Sequence, residues 1–241
     1  MLALLLALAP VAPAPTVTAT PPPVVAPAVD LGSLKTGPYR ADAIALAEAT
    51  MPEKPFKDMI AAMMDRGLRE GLGEDASALE KASPGILAEM RGAVKSSMST
   101  LFARAYHDTL ERYARLYSQS FTPAETAELA KFYRTPTGQK LIAAKYSSLA
   151  VGDIPLDRDT TTQDVSQVNK KAVGSIMDHL DGNDMIELTK FGALPSFRKL
   201  KSLMPIVNRM EAEMANEPNP EADEAVANAV GSVMKRRGLA D

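Results

Sequence analysis

Three small clusters of polar side chains have the residue types that chemistry requires. His107, Asp108 and Glu111 lie within one turn of a helical segment, and the four-residue step from His107 to Glu111 puts two metal-ligand types on one face. No third ligand accompanies them, so a solvated histidine among charges is the simpler reading and no metal is expected. Asp178, His179, Asp181 and Asp184 mark a helix end followed by a cap, without the central glycine and final glutamate of a calcium loop. Tyr133, Arg134, Gln139 and Lys140 surround a proline corner at Pro136, where the free amides that open a helix could accept a carboxylate or phosphate. The plainer account of that corner buries Phe132 and Tyr133, uses Gly138 for close helix approach and leaves Arg134 and Lys140 in solvent. Capping and packing already explain most of these residues, so ligand binding here is the sharper and less economical of the two expectations.

Beyond these clusters the chemistry is thin. The chain has no Gly-rich phosphate loop and no nucleophile elbow, and the acidic run Asp153, Asp157, Asp159, Asp164 reads as linker with Thr160 to Thr162 as capping candidates. No catalytic residue and no cofactor is assigned. A buried glutamate acting as general acid is the remaining hydrolase option, and sequence does not reveal the pKa tuning it would need. The 13 methionines could line an adaptable apolar groove, although filling an irregular core is their commoner use.

Composition excludes several classes outright. Over 241 residues the formal charge is −3, so there is no basic field to draw the chain onto nucleic acid. With no Cys there is no disulfide, no thiolate nucleophile and no acceptor for a lipoprotein anchor. At 46% hydrophobic residues the chain can bury a core without such staples.

The first residues address the compartment. Leu2 to Ala9 is an unbroken Leu/Ala run, far shorter than the roughly 20 residues that cross a bilayer, and small residues and prolines follow it. It reads as a secretory signal peptide over residues 1–19, cut before Thr20, or as far as residue 28, cut before Val29, even though its start carries no Lys or Arg. The expected location is periplasmic or secreted, with no transmembrane segment in the mature chain. Residues 20–36 continue a Pro-rich extended linker, and the folded part should begin near Leu31 to Tyr39.

The elements that must position the clusters are helical throughout. Apolar residues recur at three and four spacings and no segment alternates for long, so the expected class is all-α, a helical bundle with a long central helix and a duplicated helix-Pro-helix hairpin. Residues 37–120 hold the N-terminal helices. Within them Phe56, Met59, Ile60, Met63 and Met64 share one stripe that ends at Gly71 and Gly73, and Ser83-Pro84 should open a single helix spanning 84–120. A rod of that length needs several packing partners or a second copy, so a protein partner or homo-oligomer through it is expected. Residues 218–241 form a final helix whose acidic start and basic end suit the helix dipole, and which should pack loosely behind Pro218 and Pro220.

Residues 121–150 carry the most specific pattern. Thr122 and Glu125 make a capping box around Pro123, Phe121 precedes it, Leu129 and Phe132 face inward, and Thr135-Pro136 turns the chain into a second helix through Leu141. Beyond a linker over 151–163, the unit returns 59 residues later within 164–217. Glu128, Leu129, Lys131, Phe132, Pro136, Lys140 and Leu141 recur as Glu187, Leu188, Lys190, Phe191, Pro195, Lys199 and Leu200, and the cap Thr122 as Asp181. In the second segment Gly192 replaces Tyr133, Phe197 replaces Gly138 and Arg198 replaces Gln139.

Phe121-Thr122-Pro123-Ala124-Glu125 and Phe132-Tyr133-Arg134-Thr135-Pro136-Thr137-Gly138-Gln139-Lys140 resemble the core motif of domain-of-unknown-function family 2059, secreted or periplasmic bacterial proteins. The resemblance covers about residues 105–150. It implies an exported helical protein and supplies no established activity to carry onto residues here. Together these readings favour a non-enzymatic interaction or assembly module of the cell envelope. The alternative is a carrier of an apolar or anionic small ligand, with a carboxylate-dependent hydrolase behind both.

Overall fold

Prolines and capping side chains set where the helices start, and apolar stripes set which faces turn inward. The computed structural model describes residues 29–73, 75–150, 155, 158–177 and 179–239, and within them the chain forms thirteen helices and no strand. In chain order these are α1 (Ser33–Thr36), α2 (Ala41–Thr50), α3 (Glu53–Leu72), α4 (Asp75–Ala82), α5 (Ile86–Ser97) and α6 (Ser99–Ser120). Then follow α7 (Pro123–Tyr133), α8 (Pro136–Ala150), α9 (Thr162–Met177), α10 (Gly182–Gly192), α11 (Pro195–Ser202), α12 (Met204–Ala215) and α13 (Pro220–Arg236). The expected signal peptide and the linker through residue 28 lie outside the described residues, as do Asp153, Asp157 and Asp178.

The main core surrounds α6. Tyr106, Leu110, Tyr113, Ala114, Leu116 and Tyr117 are all buried, and α1, α2 and α3 pack along this helix. Tyr113, Tyr117 and Phe121 form an aromatic ladder at four-residue steps, with ring centroids 5.9 and 6.0 Å apart. Arg115, 8% exposed, holds α1 in place: its guanidinium donates to Gly37 O at 2.5 Å and Leu34 O at 3.2 Å, carbonyls at the end of that short helix, and pairs with Glu111 at 2.6 Å.

The single helix expected over 84–120 is two helices. The break falls at Met98, within Ser96-Ser97-Met98-Ser99-Thr100, where Ser99 Oγ bonds Ser96 O at 3.0 Å; such hydroxyls compete with the helical ladder and bend it. The start differs too. Gly85 takes a left-handed φ of 83°, and the Glu80 carboxylate, reaching from α4, accepts from the amides of Gly85 (2.7 Å) and Leu87 (3.2 Å). Glu80 therefore caps α5 in the role expected of Ser83, and the helix opens at Ile86 rather than Pro84.

The bend passes the chain from one core to another. Ile86, Met90, Val94, Met98 and Leu101 bury against Ala229 and Val233 of α13, with Met64, Leu68 and Leu72 of α3 at their edge. The C-terminal helix is thus a core element and not a loosely packed one: Val233 is fully buried, Asn219 caps its start, and Arg236 and Arg237 pair with Glu89 at 3.0 and 2.7 Å.

A polar lock joins α2 to the corner between α6 and α7. Arg40 donates to Ser118 O (2.6 Å) and Phe121 O (2.9 Å) while gripping Asp42, and Asp42 also accepts from Thr126 Oγ1 at 2.5 Å. Hydrogen bonds from Arg40 first, then from Thr126, pull the Asp42 carboxyl from 3.8 down to about 2. Because the folded value is the lower one, this stabilisation is complete above pH 4 and disappears as pH falls through about 2. Asp42→Asn should cost about 1 kcal/mol at pH 7 and clearly less near pH 2, a difference that thermal unfolding at the two pH values measures.

Candidate functional site

Helices α7 and α10 each open on a capping box. Thr122 Oγ1 accepts from Glu125 N at 3.3 Å and Glu125 returns a carboxylate oxygen to Thr122 N at 2.8 Å. At α10, Asp181 Oδ1 accepts from Asp184 N at 3.0 Å and Asp184 returns an oxygen to Asp181 N, also at 3.0 Å. Each pair satisfies amides that a helix start would otherwise leave open. The capping carboxylates then serve a second purpose. Lys140 reaches Asp184 at 2.6 Å and Asp181 at 3.2 Å, while Lys199, 59 residues further on, reaches Glu125 at 3.0 Å. Lys140 and Lys199 therefore make reciprocal contacts, each with the cap of the other hairpin.

The same reciprocity runs through the apolar contact. Phe132 and Phe191, also 59 apart, stack with centroids 3.6 Å apart and planes 7° from parallel. Tyr133 stands edge-on to both rings, at 5.4 and 5.6 Å, and Phe197 packs on Phe191 at 4.7 Å. Leu129, Leu141, Leu188 and Leu200 close the surround, none more than 2% exposed. Phe121 is buried beneath the Lys199 ammonium, which lies 5.4 Å above its ring.

The structure does not bring the four polar corner residues to one point. Tyr133 is fully buried with no partner for its hydroxyl, and burial drives its ionisation upward. Gln139 Nε2 donates to Tyr133 O at 2.6 Å, Arg134 reaches Ala45 O at 3.4 Å, and Lys140 already carries two carboxylates. Lys140 first, with the Asp181 amide and Thr137, holds Asp184 down to about 2. Burial pushes Glu125 up, but the Thr122 amide and Lys199 outweigh it, so that carboxyl too sits below its ordinary value. Arg134, Gln139 and Lys140 thus each have a partner within the chain.

Gly138 has a steric reason. A Cβ there would lie 2.3 Å from Phe132 O and 2.7 Å from Tyr133 Cα, so only glycine lets α8 start so close to the end of α7. Gly192 follows Phe191 where Tyr133 follows Phe132, and Phe197, 1% exposed, packs on Phe191.

An apolar concave feature lies elsewhere. An apolar cleft of about 270 Å³ opens between four helices: Phe56, Met59, Ile60 and Met63 from α3, Ala105, Thr109 and Tyr113 from α6, Val165, Val168 and Asn169 from α9, and Glu211 and Met214 from α12. Its rim is fixed where Thr160 exchanges two 2.8 Å hydrogen bonds with Asn216, tying the chain before α9 to the end of α12. Tyr113 donates its hydroxyl proton to Glu211 across the cleft wall, and Asn169 donates to Asn208 at 3.3 Å. Most of this site was not legible in sequence. The methionine stripe on α3 was visible, but nothing in the chain announces that Tyr113 meets Glu211, 98 residues away.

Other chemically capable groups do not assemble. Among the described residues no three His, Asp or Glu side chains converge on a metal position, and His107 faces the Tyr106 ring at 5.7 Å. Lys145 is 1% exposed, and burial without a carboxylate partner lowers its pKa to about 7, with its ammonium 5.0 Å from the Tyr146 ring. A neutral amine is a nucleophile in principle, but this one is sealed from solvent and substrate alike.

Residues 108–152 match the model of domain-of-unknown-function family 2059, described as an uncharacterized protein conserved in bacteria; the match takes in the later part of α6, α7 and α8. It covers the segment that carries the resemblance read from the residues. No curated protein and no solved structure matches the chain.

Two measurements test this account of the site's frame. Gly138→Ala should lower stability by about 1–3 kcal/mol through overpacking, whereas Gly174→Ala, in the open interior of α9, should raise it by a few tenths; paired melting curves read both. Lys145→Met should raise the melting temperature. Since the folded Lys145 binds fewer protons than the unfolded one between about pH 7 and 10.5, wild-type stability climbs with pH across that window, and the variant should flatten the climb and gain most at or below pH 7.

Proposed function

We propose that this is an exported, non-catalytic protein that carries a small, largely apolar molecule in the cleft between α3, α6, α9 and α12. The observation that carries the reading is the cleft itself: about 270 Å³ walled by methionine, aromatic and branched side chains from both halves of the chain. An engineered 150 Å³ apolar cavity accepts benzene, so this volume suits a ligand of about ten heavy atoms.

The assembly reading has less to stand on. The helix expected to dock a partner is wrapped by α1, α2 and α3, and among the described residues the large apolar side chains left exposed are Tyr39 and Ile186, too few for a docking patch. The hydrolase reading needs a carboxyl raised towards neutrality, and the displaced carboxyls here, Asp42, Glu125 and Asp184 among them, are displaced downward by their partners. Export is supported by the Leu/Ala run at residues 2–9 and the Pro-rich stretch after it, the pattern of a leader over residues 1–19 or 1–28. Among the described residues no helix is long and apolar enough to cross a membrane. The recurrence at 59 residues supports an internal duplication in which one hairpin clasps the other.

Native mass spectrometry on protein exported by its own host tests these points together. The expected spectrum shows a mature chain beginning at Thr20 or Val29, carrying a small noncovalent adduct that Met214→Trp, which fills the cleft, removes. Wild-type protein free of adduct in repeated preparations would refute the carrier, and a chain retaining residues 2–9 would refute export.

A further inference from the structure

Near the bend at Met98, where α3, α5 and α6 come together, a second concavity of about 180 Å³ shares no lining residue with the cleft. Its apolar lining is Ala61, Met64 and Leu68 on one face of α3, Val94 on α5 and Phe102 on α6. Its polar lining is Asp65, Arg91 and Lys95, one carboxylate against two cations. Asp65 is already engaged, by Arg69 at 3.1 Å and by Arg91 at 3.3 Å. Arg91 uses Nη1 for that pair and donates Nε to Leu87 O at 3.2 Å, so its Nη2 makes no hydrogen bond among the described residues. Lys95, one turn further along the same face of α5, makes neither an ion pair nor a hydrogen bond among them. At the proline corner, by contrast, Lys140 commits its charge to Asp181 and Asp184.

We infer that this concavity is a second ligand site, independent of the cleft, for a small organic anion with a ring-sized apolar body and one carboxylate. An apolar cavity of about 150 Å³ accepts benzene, so the volume here suits a single ring and its head. The body packs on Met64, Leu68, Val94 and Phe102, and the carboxylate meets the Lys95 ammonium and the uncommitted edge of Arg91. An ammonium head would meet like charge, and a neutral head gains nothing from the excess cation. The Arg91 side chain is 48% exposed, so solvent screens the head. Burial of the ring therefore supplies most of the affinity, and the sign of the head supplies the selectivity.

Methionine methyl groups report the two sites separately, Met64 for this concavity and Met59, Met63 and Met214 for the cleft. The full chain carrying ¹³C-methyl methionine, with Met64 assigned through Met64→Leu, is titrated at pH 7 with benzoate, benzamide and benzylamine, which share a ring and differ in the charge of the head. The Met64 resonance should move with benzoate at the lowest concentration, then benzamide, then benzylamine, with benzoate roughly threefold tighter than benzamide. Lys95→Gln, a change at an exposed position, should remove most of that preference and leave benzamide binding unchanged. Benzamide or benzylamine binding as tightly as benzoate would overturn the anionic class. Shifts confined to Met59, Met63 and Met214 would assign the binding to the cleft and overturn this site, as would a Met64 resonance that none of the three compounds moves.

Discussion

Two carboxylates, each closing a helix start and each neutralised by a lysine from the opposite hairpin, hold the two halves of this chain together. A helix N-terminus offers unsatisfied amides and a positive dipole end, so an acidic residue three positions past the cap is already favoured there. Adding Lys140 at Asp184 and Lys199 at Glu125 makes the cap a cross-link as well. Neither bond is fully exposed: Asp184 is 4% exposed as a residue, and both Lys199 and Glu125 have less than a third of their side chains in water. Partial burial is what lifts these pairs above the small worth of ordinary surface ion pairs. Between them the stacked Phe132 and Phe191 exclude water from the clasp.

The cleft inherits its width from this clasp. Two of its walls, α3 and α6, precede the first hairpin, and the other two, α9 and α12, flank the second. Helix α8 packs on both α3 and α9, and α11 packs on both α7 and α12. Any shift of one hairpin against the other would therefore open or close the space where Tyr113 meets Glu211. Scaffold and cleft are consecutive links of one chain of contacts, and of the cleft's lining only the stripe on α3 and the aromatic face of α6 follow a pattern readable along the chain.

What the residues disclosed in advance follows from locality. Caps, prolines and apolar stripes act within a turn or two, so the start of α7, the corner at Pro136, the close approach at Gly138 and the helical class were all readable. The bend at Met98 was not, because the three-to-four spacing of apolar residues passes through it unbroken; the serines that weaken the ladder mark it. The cap on α5 came from Glu80, outside the usual window before the helix. The cleft required tertiary structure: Tyr113 belongs to an evident aromatic stripe, and Glu211 to no pattern.

A cleft walled by methionine has a physical cost that bears on its persistence. Empty apolar volume destabilises a protein by ~24 cal/mol per Å³ when sealed, and less when water enters from an open side. Methionine, unbranched and free to change rotamer, is the side chain best able to collapse into such a space, so a methionine-lined wall trades definition for compliance. What keeps this cleft from closing is the polar bridge between Tyr113 and Glu211 together with the two-bond tie between Thr160 and Asn216, which fix α6, α9 and α12 at their spacing. A tied rim and soft apolar walls together leave a space whose edges are defined and whose lining is compliant.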